Sequence, residues 1–119
     1  MASKFYLILT TISYMQYLVE AENIDGLIPM KDVPDYISHI VIPSYEHLMR
    51  LESENKIKGG LLAGQRAGAF VMDAQSNEDL AKMLKAIPFW GMVKWKVTPL
   101  QSFKSALEQD GQIAKMLSG

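Results

Sequence analysis

The apolar residues of this 119-residue chain change their spacing along its length, and the order of those changes constrains the fold more than any single motif. Runs of period two mark strands; runs of period 3.6 mark helices. SNEDLAKMLKAI (76–87) is the plainest helix. Leu80, Met83, Leu84 and Ile87 form its buried stripe, Ser76 is a good N-cap with Asp79 three residues on, and Pro88 stops it. AGAFVMDA (67–74) before it reads as a strand. So does the segment 92–98 after it, with Val93, Trp95 and Val97 on one face and Lys94, Lys96 and Thr98 on the other.

Upstream, KFYLILTTI (4–12) reads as strand one, apolar at both parities and therefore buried on both sides. Residues 13–33 are less regular. SYMQYLVEAEN has the composition of a short helix, and NIDGLIPMKDVP has the Gly and Pro of a loop. A connection of this length is either a lid or partner contact, or a packed surface loop. Over 35–56 the helical period returns, with Ile37, Ile40, Val41, Ser44, Leu48 and Leu51 on one stripe. Pro43 interrupts it, so the segment is one bent helix or two short ones; one bent element is the expectation. Gly59-Gly60 reads as its stop, LLAGQ (61–65) as strand two, and 102–117 as a tail helix weakened at Gly111.

The order is β-α-β-β-α-β plus a tail, in one domain over 1–119. This is the ferredoxin-like pattern of a four-stranded antiparallel sheet in an α+β fold, with an extra C-terminal helix. Two helices cover one face of such a sheet. Strands one and three, read as apolar on both faces, then call for a second copy of the chain on the other. The fourth strand lies at an edge, where Lys94 and Lys96 discourage uncontrolled pairing.

Composition narrows the function classes. Hydrophobic residues make up 49% of the chain and charged ones 21%, with a net charge of −1 and no basic run, which argues against a nucleic-acid surface. There is no cysteine, so no disulfide, thiolate nucleophile or cysteine metal site forms, and the two histidines do not face together as a metal pair. The N-terminal apolar run is too short for a membrane span, and a cytoplasmic protein without membrane attachment is expected.

The helix end LMRLESENKIKGG, the hairpin GLLAGQRAGAFVMDA, the capped helix SNEDLAKMLKAIP and the exit FWGMVKWKVTPLQSF resemble the muconolactone isomerase-like family over Tyr45–Phe103. The TPLQSF ending is similar to a branch related to the isomerase rather than to the isomerase itself. The resemblance implies a dimeric α+β barrel of paired ferredoxin-like sheets, a homodimer or higher homo-oligomer, and a small-molecule pocket beside the sheet. It implies proton-shift chemistry on a cyclic or conjugated substrate without a cofactor. One departure bears on the chemistry. The isomerase's second hairpin strand begins Gly-His-Tyr-Ala-Asn-Tyr, and here the stretch is Gly64-Gln65-Arg66-Ala67-Gly68-Ala69, so a proton carrier and two rings are replaced.

Proton shuttling needs a group that titrates near neutrality within reach of substrate. On an unbroken helix His39 points away from the core stripe. His47 lies at its border, on the side of Tyr36, Ile40 and Glu54, and is the expected acid or base with Glu54 orienting it. Tyr45 and Glu52 share the opposite border. Arg66, at the hairpin, is the natural carboxylate clamp. Tyr36, Tyr45, Arg66 and Trp95 are the expected substrate contacts. The expected pocket lies between helix 35–56 and the sheet, with the 13–33 segment as its lid. A non-catalytic dimeric module that binds a small molecule or a partner protein is the alternative.

Overall fold

The structure, a computed structural model, describes residues 14–119. The run 4–12, read above as strand one, lies outside these residues. The first described strand, β1 (Met15–Asn23), instead occupies the stretch read as a short helix. Its Met, Gln, Leu, Glu and Ala residues lean towards helix by propensity. Yet Tyr17, Val19 and Ala21 are buried and alternate with Gln16, Leu18, Glu20 and Glu22. Pairing decides the matter. β1 is the inner strand between β3 and β4 and is antiparallel to both, and two ladders with a buried face override a weak local preference.

The expected bent helix is present as one continuous element. A 3-10 turn (Met30–Asp32) leads into α1 (Val33–Tyr36), then a π-helical turn (Ile37–Val41), then α2 (Ile42–Ser53). Pro43 is the second residue of α2, where its missing N–H and its ring are accommodated at the end of the wide turn. A π turn carries one extra residue, so everything before it is rotated by about 100° relative to a straight α-helix.

The helix stops earlier than Gly59-Gly60. Asn55 takes the left-handed conformation (φ 59°), and the Lys56 N–H donates to the Leu51 carbonyl at 2.9 Å, a Schellman closure with Asn in the place of Gly. The two glycines therefore belong to β2 (Ile57–Leu61), which replaces the strand expected at 61–65; Leu62–Gln65 is the turn, with Gly64 at φ 75°. β3 (Ala67–Ala74) follows as expected. α3 (Asn77–Lys85) is capped by the Ser76 hydroxyl, which accepts the Asp79 N–H at 3.1 Å. β4 (Val93–Leu100) and α4 (Phe103–Ser118) complete the chain.

The sheet order is β2-β3-β1-β4, all antiparallel, which is the α+β ferredoxin-like arrangement. One face carries the core. Tyr17 and Val19 of β1 and Phe70, Met72 and Ala74 of β3 pack with Leu51 of α2 and Leu80 and Leu84 of α3. Ser44, fully buried in α2, is satisfied on both sides. Its hydroxyl donates to the Ile40 carbonyl at 2.7 Å and accepts the Phe89 N–H at 3.0 Å, which joins the helix to the connection before β4.

The outward face is mixed rather than oily. β3 presents Ala67, Ala69 and Val71 there, but β1 presents Glu20 and Glu22 opposite Lys96 and Lys94 of the edge strand β4. The expectation of a doubly apolar strand one therefore does not carry over to β1. α4 leaves the body: the described chain measures 67 × 44 × 24 Å, and its radius of gyration of 19.2 Å exceeds the roughly 13–14 Å of a compact domain this size. Phe103, Leu107 and Leu117 on α4 are largely exposed. Among the described residues no helix is long and apolar enough to cross a membrane.

Gly59 has a specific reason to be glycine. It faces Phe70 across the β2–β3 ladder at φ 148°, and a Cβ there would meet the Ala69 carbonyl oxygen and approach the Phe70 Cα to 2.6 Å. Gly60, next to it, has nothing within 4 Å of the same position. Chemical denaturation should find Gly59→Ala destabilised by about 2–4 kcal/mol and Gly60→Ala changed by less than about 1 kcal/mol. Equal effects would contradict this packing.

Candidate functional site

Between the helical element and the core face of the sheet lies a cavity of about 590 Å³. Its floor is Ala21, Gly68 and Phe70; Gly68 and its cross-strand partner Ala21 leave room because they carry little or no side chain. One wall is helical, with Val33, Ile37, Val41 and Leu48 among its residues, and the opposite rim is the turn after β1, including Ile24, Leu27 and Ile28. Phe89, Met92 and Val93 close the side towards β4. The cavity thus lies where the sequence reading places it, and the residues from Ile24 to Met30 form its rim.

Tyr36, Tyr45 and Arg66 all line this space. The sequence phase sets Tyr36 and Tyr45 on opposite borders of the helix; the extra residue of the π turn brings them to the same cavity. Burial raises the Tyr36 pKa, and the nearby Tyr45 raises it further, so Tyr36 is a neutral hydrogen-bond donor at physiological pH. Arg66 sits immediately before β3, and its carbonyl accepts the Asn23 N–H at 2.9 Å, which ties the hairpin to the end of β1. Asn23 and Gln65 line the same end. Neither is among the substrate contacts expected from the sequence; the available signal is Asn23 at the end of β1 and Gln65 in the turn beside Gly64.

Trp95 does not line the cavity but backs it. It packs on Phe89 with ring centroids 6.2 Å apart, Phe89 meets Tyr45 edge-on at 6.4 Å, and the Trp95 Nε1–H donates to the Trp90 carbonyl at 2.9 Å. His47 and Glu54 are also outside the lining. The Nδ1 of His47 is 3.3 Å from the Arg50 guanidinium, and Glu54, at the exposed helix end, pairs with Lys56 at 3.0 Å. The structure does not bring His47 and Glu54 together. His39 is exposed, its Nδ1 3.0 Å from the Asp35 carbonyl. Glu52 lines a smaller space of about 170 Å³ between α2 and β2, which shares Tyr45, Leu48, Leu61 and Phe70 with the large cavity.

The Tyr36 shift has a pH signature. Its neutral phenol contributes stability that is complete below the ordinary tyrosine pKa of 10.0 and is lost as pH rises through the higher folded-state value. In absorbance titration at 295 nm, Tyr36→Phe should remove phenolate signal that develops above pH 10, and should lessen the alkaline loss of stability. Loss of signal only below that pH would contradict the assignment.

A family model described as muconolactone delta-isomerase matches residues 15–106. The match begins with β1 and ends inside α4, and is wider than the Tyr45–Phe103 run that carries the resemblance in sequence. A crystal structure of muconolactone isomerase aligns with a TM-score of 0.59 at 22% identity, covering 76% of this chain and 93% of that one; at that identity the likeness is one of fold. No curated protein matches the sequence significantly. With its sheet, both core helices and the cavity walls all inside the matched segment, the chain belongs to the muconolactone delta-isomerase family.

Proposed function

We propose that this protein is an isomerase that shifts a proton within a cyclic or conjugated organic carbonyl compound, using its own side chains as anion clamp, hydrogen-bond donor and proton carrier. The observation that carries this reading is the cavity itself, apolar along most of its wall, with Arg66 at its hairpin end and Tyr36 and Tyr45 on its helical side. Family membership supports the same reaction class.

The chemistry follows from the groups present. Arg66 binds a carboxylate of the substrate through two donors. A C–H bond beside the carbonyl breaks, and its electron pair moves into the conjugated system and onto the carbonyl oxygen. The neutral Tyr36 phenol donates a hydrogen bond to that oxygen where charge develops. The proton returns at another carbon, the double bond moves, and the atom count is unchanged. The described lining of the large cavity holds no carboxylate or imidazole, so the carrier is assigned to Glu52, in the adjoining space beside Tyr45. His47, the carrier expected from sequence, serves as the comparison.

In deuterated water the reaction exchanges the migrating proton, which proton NMR of an unsaturated lactone acid reads directly. Arg66→Gln should raise KM, Tyr36→Phe should lower kcat by roughly tenfold to hundredfold, and Glu52→Gln by roughly hundredfold, with His47→Gln affecting it far less. A large loss with His47→Gln and none with Glu52→Gln would move the proton to His47. No exchange by the unmodified protein would leave a binding module.

A homodimer completes this reading. Leu18, Ala69, Val71 and Leu100 line up on the outward face, and a second copy there would cover them while its charges met Lys94 and Lys96. Light scattering should give a mass at least twice the 13.4 kDa of the chain; a stable monomer would refute the dimer.

A further inference from the structure

The cavity is larger and greasier than a single-ring acid requires. A space of about 150 Å³ holds one benzene ring, and this cavity is roughly four times that volume. Its helical wall runs from Val33 to Leu48, about 20 Å at the α-helical rise. Polar groups are confined to two places. Asn23, Gln65 and Arg66 stand together at the hairpin end, and Tyr36 and Tyr45 stand on the helical wall; Arg66 is the one charged residue among the described residues that line the space. Everything else is aliphatic, aromatic, methionine, glycine or alanine.

A second observation points the same way. The cavity mouth exposes apolar side chains: Met30 is 84% exposed, Leu27 45% and Ile37 44%. Scattered apolar exposure is ordinary, but these three border one cavity. A small polar acid held at Arg66 would leave this rim in water and much of the apolar wall unfilled. A long apolar ligand anchored at the same arginine would cover both.

We propose that the ligand of this cavity is an organic acid of two or three fused rings, with its anionic end on Arg66 and an oxygen of its skeleton beside Tyr36 and Tyr45. The proposal rests on the reading of the cavity as the substrate site and names the size and polarity of that substrate. Arg66 sets its direction, because no other described lining residue offers a full charge, and the apolar length sets its size.

The test measures binding to the full chain by calorimetry with benzoate, 2-naphthoate, 2-anthroate and the neutral 2-naphthamide. Each added ring should tighten binding roughly five- to tenfold, since it buries further apolar surface. Arg66→Gln should weaken 2-naphthoate at least tenfold and leave 2-naphthamide unchanged, and Arg66→Lys should restore part of the loss. Equal affinities across the ring series, or equal loss for acid and amide, overturn the proposal. These outcomes separate from those of the proton-exchange experiment. Size-ordered binding without exchange removes the isomerase reading and keeps the ligand class. Exchange with a single-ring lactone acid, and no ring-size order in binding, does the reverse.

Discussion

A single buried hydroxyl fixes the long helix against the connection before β4. Ser44 is fully enclosed, donates to the Ile40 carbonyl and accepts the Phe89 N–H. A buried polar group without partners costs about 1–3 kcal/mol, so this arrangement is stable only when helix and loop meet in one register. That register fixes Phe89 against Tyr45 on one side and Trp95 on the other. The helix cannot slide along the sheet without breaking these contacts. The cavity beside them therefore has walls of defined position.

The second constraint is the sheet's paucity of side chains beneath the helix. Gly68 and Ala21 pair across β3 and β1 on the core face, and Gly59 lets the backbone of Ala69 and Phe70 on the neighbouring strand come close. Where large residues face α2 and α3, the core is filled; where Gly68 and Ala21 face α1 and the π turn, the space stays open. The core and the cavity are thus two ends of one face. The polar groups at the open end are few, and two of them differ sharply in character: Arg66 carries a full positive charge, and Tyr36 is a phenol kept neutral by burial.

Much of the fold was legible before any coordinates. Ser76, Pro88 and the Leu80–Leu84 stripe mark α3, and the alternation of Val93, Trp95 and Val97 against Lys94 and Lys96 marks β4 at an edge. The stripe through Ser44 and Leu51 locates the long helix and the cavity next to it. Three misreadings have definite causes. β1 was hidden by residues that favour helix until two strands pair with them. The Gly59-Gly60 pair looked like a helix stop, while the stop was Asn55, one of the few non-glycine residues that adopts a left-handed backbone readily. A helical wheel sets Tyr36 beside His47 rather than Tyr45 because it assumes 3.6 residues per turn, and the π turn breaks that count.

The residues alone determined which segments are strands and helices over most of 67–118, which stripe of α3 is buried, and that Arg66 stands at a hairpin, because these follow from spacing, capping and turn chemistry within a few neighbouring positions. Tertiary structure alone decided that Met15–Asn23 is an inner strand, that Tyr36 and Tyr45 share one cavity, and that His47 and Glu54 lie outside it. Those outcomes depend on partners distant in the chain and on a wide helical turn whose extra residue rotates one end of the helix against the other, and no local pattern encodes either.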